Sequence, residues 1–348
     1  MQSVVISKNQ AGQRFDKFLH RYLPEAGSGF LYKMLRKKNI TLNGKKAEGN
    51  ELLNAGDTVS FFFSEETFAK FRGCLPSQKE QSTVKNQYLS TYQTLNLQYK
   101  IHVLYEDDDV CLIDKPAGLL TQKAGPDDRS LNEWLIGYLL HSGQITAEEL
   151  TKFHPSVCNR LDRNTSGIVL CGKSLPGLRA LSCVIKQHQL TKIYHTVCYG
   201  TITKDSTLEG YLVKNTKTNQ VTCYMTKPAD CDASAIKTFY HPLAQACGCT
   251  YLEVELFTGK THQIRAHLAA EGHPLIGDHK YGCPGGKCRD TIPADIAGLP
   301  YQLLHAQRVS FPPDCPLQGL RGKTITAPLP ESFVKVLSTL GLFNTPVS

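Results

Sequence analysis

Apolar and polar positions change period several times along the chain, and the changes mark out its elements. Phe15, Phe18, Leu19 and Tyr22 recur at helical spacing, with Lys17 and Arg21 on the other side. After a break over Pro24–Gly29, Leu31, Met34 and Leu35 mark a second short helix. Ile40-Thr41-Leu42 then runs into Asn43-Gly44, a strong hairpin signal. Asn54-Ala55-Gly56-Asp57 is another turn, and Thr58–Phe63 reads as a closing strand. From Ser64 to Gln98 the chain is polar and loses its period, so it reads as an irregular linker. Tyr88, Tyr92 and Tyr99 imply that its later half packs on the next domain.

Beyond residue 99 strands and helices mix. Val110–Ile113 is a short buried strand, stopped by the turn Lys115-Pro116-Ala117-Gly118. Ser130-Leu131-Asn132-Glu133 has the capping-box pattern, and Leu131, Trp134, Leu135, Tyr138 and Leu139 give the helix it opens one apolar face. Ile168–Cys171 is a second buried strand; Leu178, Leu181, Val184 and Ile185 mark a helix; Ile193–Tyr199 and Tyr251–Phe257 alternate as strands. Strand and helix do not alternate regularly, which predicts an α+β fold rather than a doubly wound sheet. No glycine-rich phosphate loop follows a strand, so folds built around a nucleotide cofactor lose support.

Charge changes the picture. Of the 348 residues, 39 are basic and 31 acidic, a formal net charge of +8. The excess is concentrated near the N-terminus. Lys8, Arg14, Lys17, Arg21, Lys33, Arg36, Lys37, Lys38, Lys45 and Lys46 face only Asp16, Glu25, Glu48, Glu51 and Asp57. A basic helix–turn–hairpin of this kind is an electrostatic footprint for phosphate. The start, Met1-Gln2-Ser3-Val4-Val5, lacks a basic region followed by an apolar run, and no stretch approaches a membrane span. Together with 13 cysteines, an odd number, this points to reduced thiols in the cytoplasm. The nearest metal-like spacings, Cys247-Gly-Cys249 and Cys283…Cys288, do not form the paired set a structural zinc site needs.

The chemistry gathers in three stretches. In Asn159-Arg160-Leu161-Asp162-Arg163-Asn164-Thr165-Ser166-Gly167 a carboxylate lies between two arginines on a turn before a buried strand. Neighbouring guanidinium groups hold such an acid ionised, and an ionised, positioned carboxylate can act as nucleophile or base. Lys192-Ile193-Tyr194 opens a later strand. Thr258-Gly259-Lys260-Thr261-His262-Gln263-Ile264-Arg265-Ala266-His267-Leu268 comes third, then Gly277-Asp278 and Tyr281-Gly282. His262 and His267 are five apart, which is not same-face helical spacing for a metal pair.

In this order the stretches closely resemble the signatures of the RluA-type RNA pseudouridine synthases. The match holds at Arg160, Leu161, Asp162, Thr165, Ser166 and Gly167. It departs at Asn159, where that family usually has His, and at Lys260, where it usually has Arg. Leu304-His305-Ala306-Gln307-Arg308 and Ile325–Pro330 fit the same pattern. The N-terminal stretches Arg14–Leu19, Leu35-Arg36-Lys37, Ile40–Gly44 and Ala55–Val59 resemble the S-four-type RNA-binding domain. The resemblance implies an S-four-type domain over residues 1–63, a linker over 64–98 and a catalytic domain over 99–340. The fold it implies is α+β, with a mixed, largely antiparallel sheet flanked by helices and loops, plus the small α+β N-terminal domain.

It also implies the roles. Asp162, Tyr194 and Arg265 would be catalytic: Asp162 as nucleophile or base, Tyr194 stacking on the uracil and helping to remove the proton from carbon 5, Arg265 pairing with Asp162. Arg160, Lys260, His262 and Gln263 would contact substrate. Arg14, Lys17, Arg36, Lys37, Lys38, Lys45 and Lys46 would contact RNA. The implied reaction isomerises uridines of RNA, large-subunit ribosomal RNA above others, with a monomeric enzyme and with no cofactor, metal or membrane. Transfer RNA is the alternative substrate, and a non-catalytic RNA-binding or ribosome-assembly protein is the alternative class. Hydrolysis through an aspartate nucleophile lacks a second acid placed by a recognisable motif.

Overall fold

The computed structural model describes residues 2–7, 10–72, 78–215, 218, 220–229, 232–282 and 292–343. A four-stranded antiparallel sheet comes first, in the order β1 (Gln2–Val5), β4 (Thr58–Phe61), β2 (Ile40–Leu42), β3 (Lys45–Lys46). Asn43 and Gly44, with φ of 50° and 72°, make the β2–β3 turn. Both residues are left-handed, the twist that a two-residue hairpin requires. Helices α1 (Phe15–Tyr22) and α2 (Ser28–Arg36) lay Phe15, Phe18, Leu19, Leu31 and Leu35 against Ile40, Val59 and Phe61.

The expected irregular linker is instead mostly helical. It holds α3 (Glu65–Arg72) and α4 (Gln78–Gln98). Phe68 of α3 meets Phe61 edge-on at 5.3 Å between ring centroids, so the N-terminal apolar cluster continues past residue 63. α4 packs on the C-terminal side of the chain: Leu95 is buried with Trp134 and Leu135, and Tyr92 lies 5.7 Å from the Trp134 ring. Its partner α5 (Leu131–His141) opens on the capping box of Ser130 and Glu133. The two helices cross closely. A Cβ at Gly137 would lie 2.5 Å from the Tyr88 carbonyl oxygen.

Eleven strands form the second sheet among the described residues. Its path runs β11 (Gln220–Tyr224), β10 (Ser206–Asn215), β12 (Ala233–Ala246), β13 (Cys249–Leu256), β9 (Thr191–Tyr199), β14 (Leu304–Ser310), β8 (Ser166–Gly172), β6 (Val110–Lys115), β5 (His102–Glu106). β7 (Ser156–Val157) pairs with β8, and β15 (Thr324–Thr326) with β14. Among these strands only the β8–β14 pairing is parallel, so the sheet is mixed and largely antiparallel.

Both faces are covered. Alternate residues of β6 and β8 point to opposite sides, as strand geometry demands. Cys111, Ile113, Val169 and Cys171 cluster with α4 and α5. Val110, Leu112, Ile168 and Leu170 cluster with α7 (Leu175–Lys186). Further along, α8 (Gln263–Ala270) packs Ile264 and Leu268 on Leu252 and Val254, while α10 (Glu331–Thr339) packs Phe333 and Val336 on Val197 and Tyr199. The short helix α6 (Ala147–Lys152) sets Leu150 against Ile136 and Leu140, and α9 (Ala294–Ala297) adds Ile296 to the α10 cluster. Among the described residues no helix is long and apolar enough to cross a membrane.

The centre of the sheet is the β9–β14–β8 seam. β8 pairs with β14 only through His305–Ser166 and Ala306–Gly167. Gly167 is forced there twice over. Its φ is 106°, and a Cβ would sit 2.2 Å from the Ala306 carbonyl oxygen.

Candidate active site

The loop between β7 and β8 carries Asp162, and backbone contacts hold it. Lys115, fully buried at the end of β6, donates from Nζ to the carbonyls of Pro116 (2.9 Å), Leu119 (2.8 Å) and Arg163 (3.0 Å). The Gly118 N–H also donates to the Arg163 carbonyl, at 3.0 Å. Thr121 Oγ1 donates to the Leu161 carbonyl at 2.8 Å and accepts the Leu161 N–H at 3.1 Å. The Asn159 amide oxygen accepts the Leu170 N–H at 2.7 Å, so the residue that replaces the usual histidine has a backbone-bracing place. Burial pulls the Lys115 ammonium down to about 7, opposed by the charges of Asp162 and Asp114.

The cations that flank Asp162 in sequence do not touch it. Arg160 is exposed at the rim, and Arg163 reaches Asp128 at 3.8 Å. The cation that does is Arg265, from the first turn of α8, donating from Nη1 to Asp162 Oδ2 at 3.0 Å. Its other edge is taken by Asp278: Nε to Oδ2 at 2.7 Å and Nη2 to Oδ1 at 2.9 Å. Burial works against the Arg265 charge, but the Asp278 and Asp162 carboxylates overcome it and hold the group above its usual range. For Asp278 burial works the other way, and the Arg265 fork more than offsets it, keeping the carboxyl below its usual range.

His262 caps α8 in a left-handed conformation, with φ 53°. Its Nε2 lies 3.7 Å from the same Asp162 Oδ2, and its Nδ1 is 2.8 Å from the Tyr281 hydroxyl. That hydroxyl accepts the Val221 N–H at 2.9 Å, and burial keeps the imidazole below its usual pKa. In the tautomer with Nε2–H facing Asp162, the Tyr281 hydroxyl donates to Nδ1. Tyr281 also lies under the Arg265 guanidinium, 5.2 Å from ring centroid to Cζ. Both contacts to Asp162 therefore converge on Oδ2. Oδ1 has no hydrogen-bond partner among the described residues.

Asp162, Tyr194 on β9 and Arg265 all line one cleft of about 1160 Å³. Burial, then the Asp162 charge, pushes the Tyr194 phenol well above its usual range. Nine lysines and arginines line the cleft, with Asp162 as its single carboxylate among the described residues. Such a cleft favours a polyanion. Arg160, Lys260 and His262 line it too. Gln263 lines the cleft as well, with its side-chain amide held by the loop. Its amide oxygen accepts from Thr258 Oγ1 (2.9 Å) and Lys260 N–H (3.1 Å), and its amide nitrogen donates to the Lys237 carbonyl (3.1 Å) and Thr238 Oγ1 (3.0 Å). No bonding capacity is left for a ligand, so Gln263 shapes the 258–262 loop.

The expected RNA-contacting residues lie outside the cleft. Lys17, Arg36, Lys37, Lys38, Lys45 and Lys46 are exposed on α1, α2, the following turn and β3. Arg14 is exposed as well, but Asp16 holds it in a fork at 3.1 and 2.7 Å. His267 is buried, with Nδ1 3.1 Å from Thr238 Oγ1, so the two histidines of the α8 stretch serve different partners. Cys283 and Cys288 lie outside the described residues, and among those described no group of three His, Cys, Asp or Glu could hold a metal ion. Sequence reasoning assigned no role to Lys115, Thr121, Asp278 or Tyr281. Asp278 sits inside a matched stretch and Lys115 in a turn, but their partners Arg265 and Arg163 lie 13 and 48 positions away, at spacings that announce nothing.

Residues 109–270 match the family model described as RNA pseudouridylate synthase. An RNA pseudouridine synthase of Mycoplasma genitalium is 30% identical over 314 residues, 88% of this chain and 88% of that one. The ribosomal large subunit pseudouridine synthase D of Neisseria meningitidis is 28% identical over 339 residues, 95% of this chain and 80% of that one. In fold, the chain is similar to human RNA pseudouridylate synthase domain containing 4, with a TM-score of 0.57 at 19% identity over 75% of this chain and 99% of that one. A carboxylate pinned in a basic cleft, and a relative matched at that identity over most of both chains, lead to one conclusion: the chain belongs to the RNA pseudouridine synthase family.

Proposed function

We propose that this enzyme isomerises uridine in large-subunit ribosomal RNA, with Asp162 as the catalytic carboxylate. The observation that carries the reading is the asymmetry of Asp162: Oδ2 is held by Arg265 and approached by His262, while Oδ1 has no partner among the described residues, in a cleft where the lysines and arginines face no other carboxylate among the described lining residues. Oδ1 is the atom that meets the substrate. The names of relatives such as those of Neisseria meningitidis and Xanthomonas campestris support the ribosomal substrate.

The reaction breaks the bond between uracil N1 and the sugar C1′, joins C5 to C1′, removes the proton from C5 and protonates N1. The target base must leave its stack to enter the cleft. Asp162 Oδ1 acts at the sugar, as nucleophile at C1′ or as base. Tyr194 is a neutral phenol at pH 7, and burial keeps it neutral well into the alkaline range. It therefore serves as an apolar wall for the uracil and a relay, accepting the C5 proton as it passes its own to Asp162. The exposed cations of the N-terminal sheet hold flanking RNA, and the enzyme works as a cytoplasmic monomer.

Asp162→Asn keeps the shape and removes the charge. It should abolish pseudouridine formation, by more than a thousandfold, with RNA binding and the melting temperature little changed. Pseudouridine mapping on RNA treated with the variant checks this, and retained activity overturns the assignment. The same mapping on ribosomal and transfer RNA from cells lacking the gene decides the substrate; a lost site in transfer RNA alone moves the reading there.

A further inference from the structure

The cleft does not end at Asp162 and Tyr194. β8 and β14 pair at only two positions, and beyond them the cleft enters the gap between the strands. There its lining is apolar: Ile168, Leu170, Leu190 and Val309, core residues, each show it a narrow edge. Lys192 stands at the edge of this slot, on the same side of β9 as Tyr194 and roughly 7 Å along it. Its ammonium reaches over the 258–262 loop, 4.0 Å from where a Gly259 Cβ would be. Lys192 is half-buried, and its side chain makes no hydrogen bond or ion pair to any described residue. Burial lowers its pKa, and the Glu255 charge only partly opposes this. Glu255 acts on this half-buried ammonium without a hydrogen bond, so a ligand phosphate can supply the direct contact it lacks. An apolar floor beside a cation with no hydrogen-bonded partner fits the two halves of a nucleotide, base and phosphate.

We infer that this slot is a second nucleotide subsite: the base adjoining the target uridine lies on the Leu170–Leu190 floor, and its phosphate meets Lys192 Nζ. The inference rests on the RNA-modifying reading above. It adds a contact that acts on binding and not on the chemical step. Lys192 thereby helps to choose which uridine, by its neighbour, enters the cleft.

The test uses an RNA stem–loop carrying a uridine that the wild-type enzyme modifies. In matched copies one flanking linkage at a time is a neutral methylphosphonate, or one flanking nucleotide is abasic. At one linkage the wild type should lose about tenfold in kcat/KM, through KM. Lys192→Gln should lose about tenfold on ordinary RNA and nothing more on that neutral linkage, while Lys192→Arg recovers most of the loss. The abasic neighbour should cost the wild type about tenfold. Losses that multiply at both flanking linkages, a fall confined to kcat, or indifference to the abasic neighbour overturn the subsite. Failure of the wild type to modify any ribosomal RNA would instead count against the substrate reading.

Discussion

Asp278 never needs to touch substrate to matter. Asp278→Asn would leave the buried Arg265 guanidinium with Asp162 as its one carboxylate partner among the described residues. Breaking a buried pair in this way costs about 3 kcal/mol. The expected result is that much loss in urea unfolding, with kcat down at least tenfold as Asp162 loses its fixed orientation. Lys115→Met makes a sharper comparison. It removes three donors from three carbonyls, one of them at Arg163 in the Asp162 loop, and should also cost about 3 kcal/mol. Near-wild-type stability for Lys115→Met would show that water can replace the ammonium. At this scale sequence showed the candidate reacting groups and hid their supports. Asp162, Tyr194 and Arg265 stand in ordered motifs. Asp278, Tyr281 and Lys115 act through contacts that exist only once distant segments meet. Gln263 adds the converse: it lines the cleft as its motif suggests, and only the folded loop reveals that its amide is also fully bonded.

At the scale of elements, strong periods translated directly. The α1 stripe, the Asn43-Gly44 hairpin, the capping box of α5 and the strands β6, β8, β9 and β13 all stand where the pattern put them. α4 did not show itself. Its apolar positions, Val84, Tyr88, Tyr92 and Leu95, do keep helical spacing, but they are few among Gln, Ser, Thr and Asn. Such a helix draws its stability from packing on α5 and not from its own propensity. Gly137 is where that packing is tightest. Gly137→Val should therefore destabilise the protein by about 2 kcal/mol, through overpacking against the α4 backbone. The site is remote from this contact, so activity per folded molecule should hold. A variant as stable as the wild type would mean that α4 can move aside.

For the whole molecule, buried histidines set the response to acid. Burial pushes His195, His267 and His305 down to about 4. Their unfolded counterparts take up protons near the ordinary value of about 6.5. Between these values the unfolded chain binds more protons, so stability falls as pH drops through that window. Asp114 works the other way: burial raises it to about 6, so the folded chain keeps a proton there that the unfolded chain releases. The net of two protons gives a slope of roughly 3 kcal/mol per pH unit near pH 5. Urea unfolding at pH 7, 6 and 5 should trace it, and a flat profile would contradict it. The architecture also separates the shape of the Asp162 loop from some of its side chains. Lys115, Gly118 and Thr121 grip the Asp162 loop by its peptide groups, so the side chains at 163 and 164 carry little of its shape. Those positions are open to drift. Lineages can exchange them while the carboxylate stays in place; a randomised library at these two positions should be rich in working enzymes.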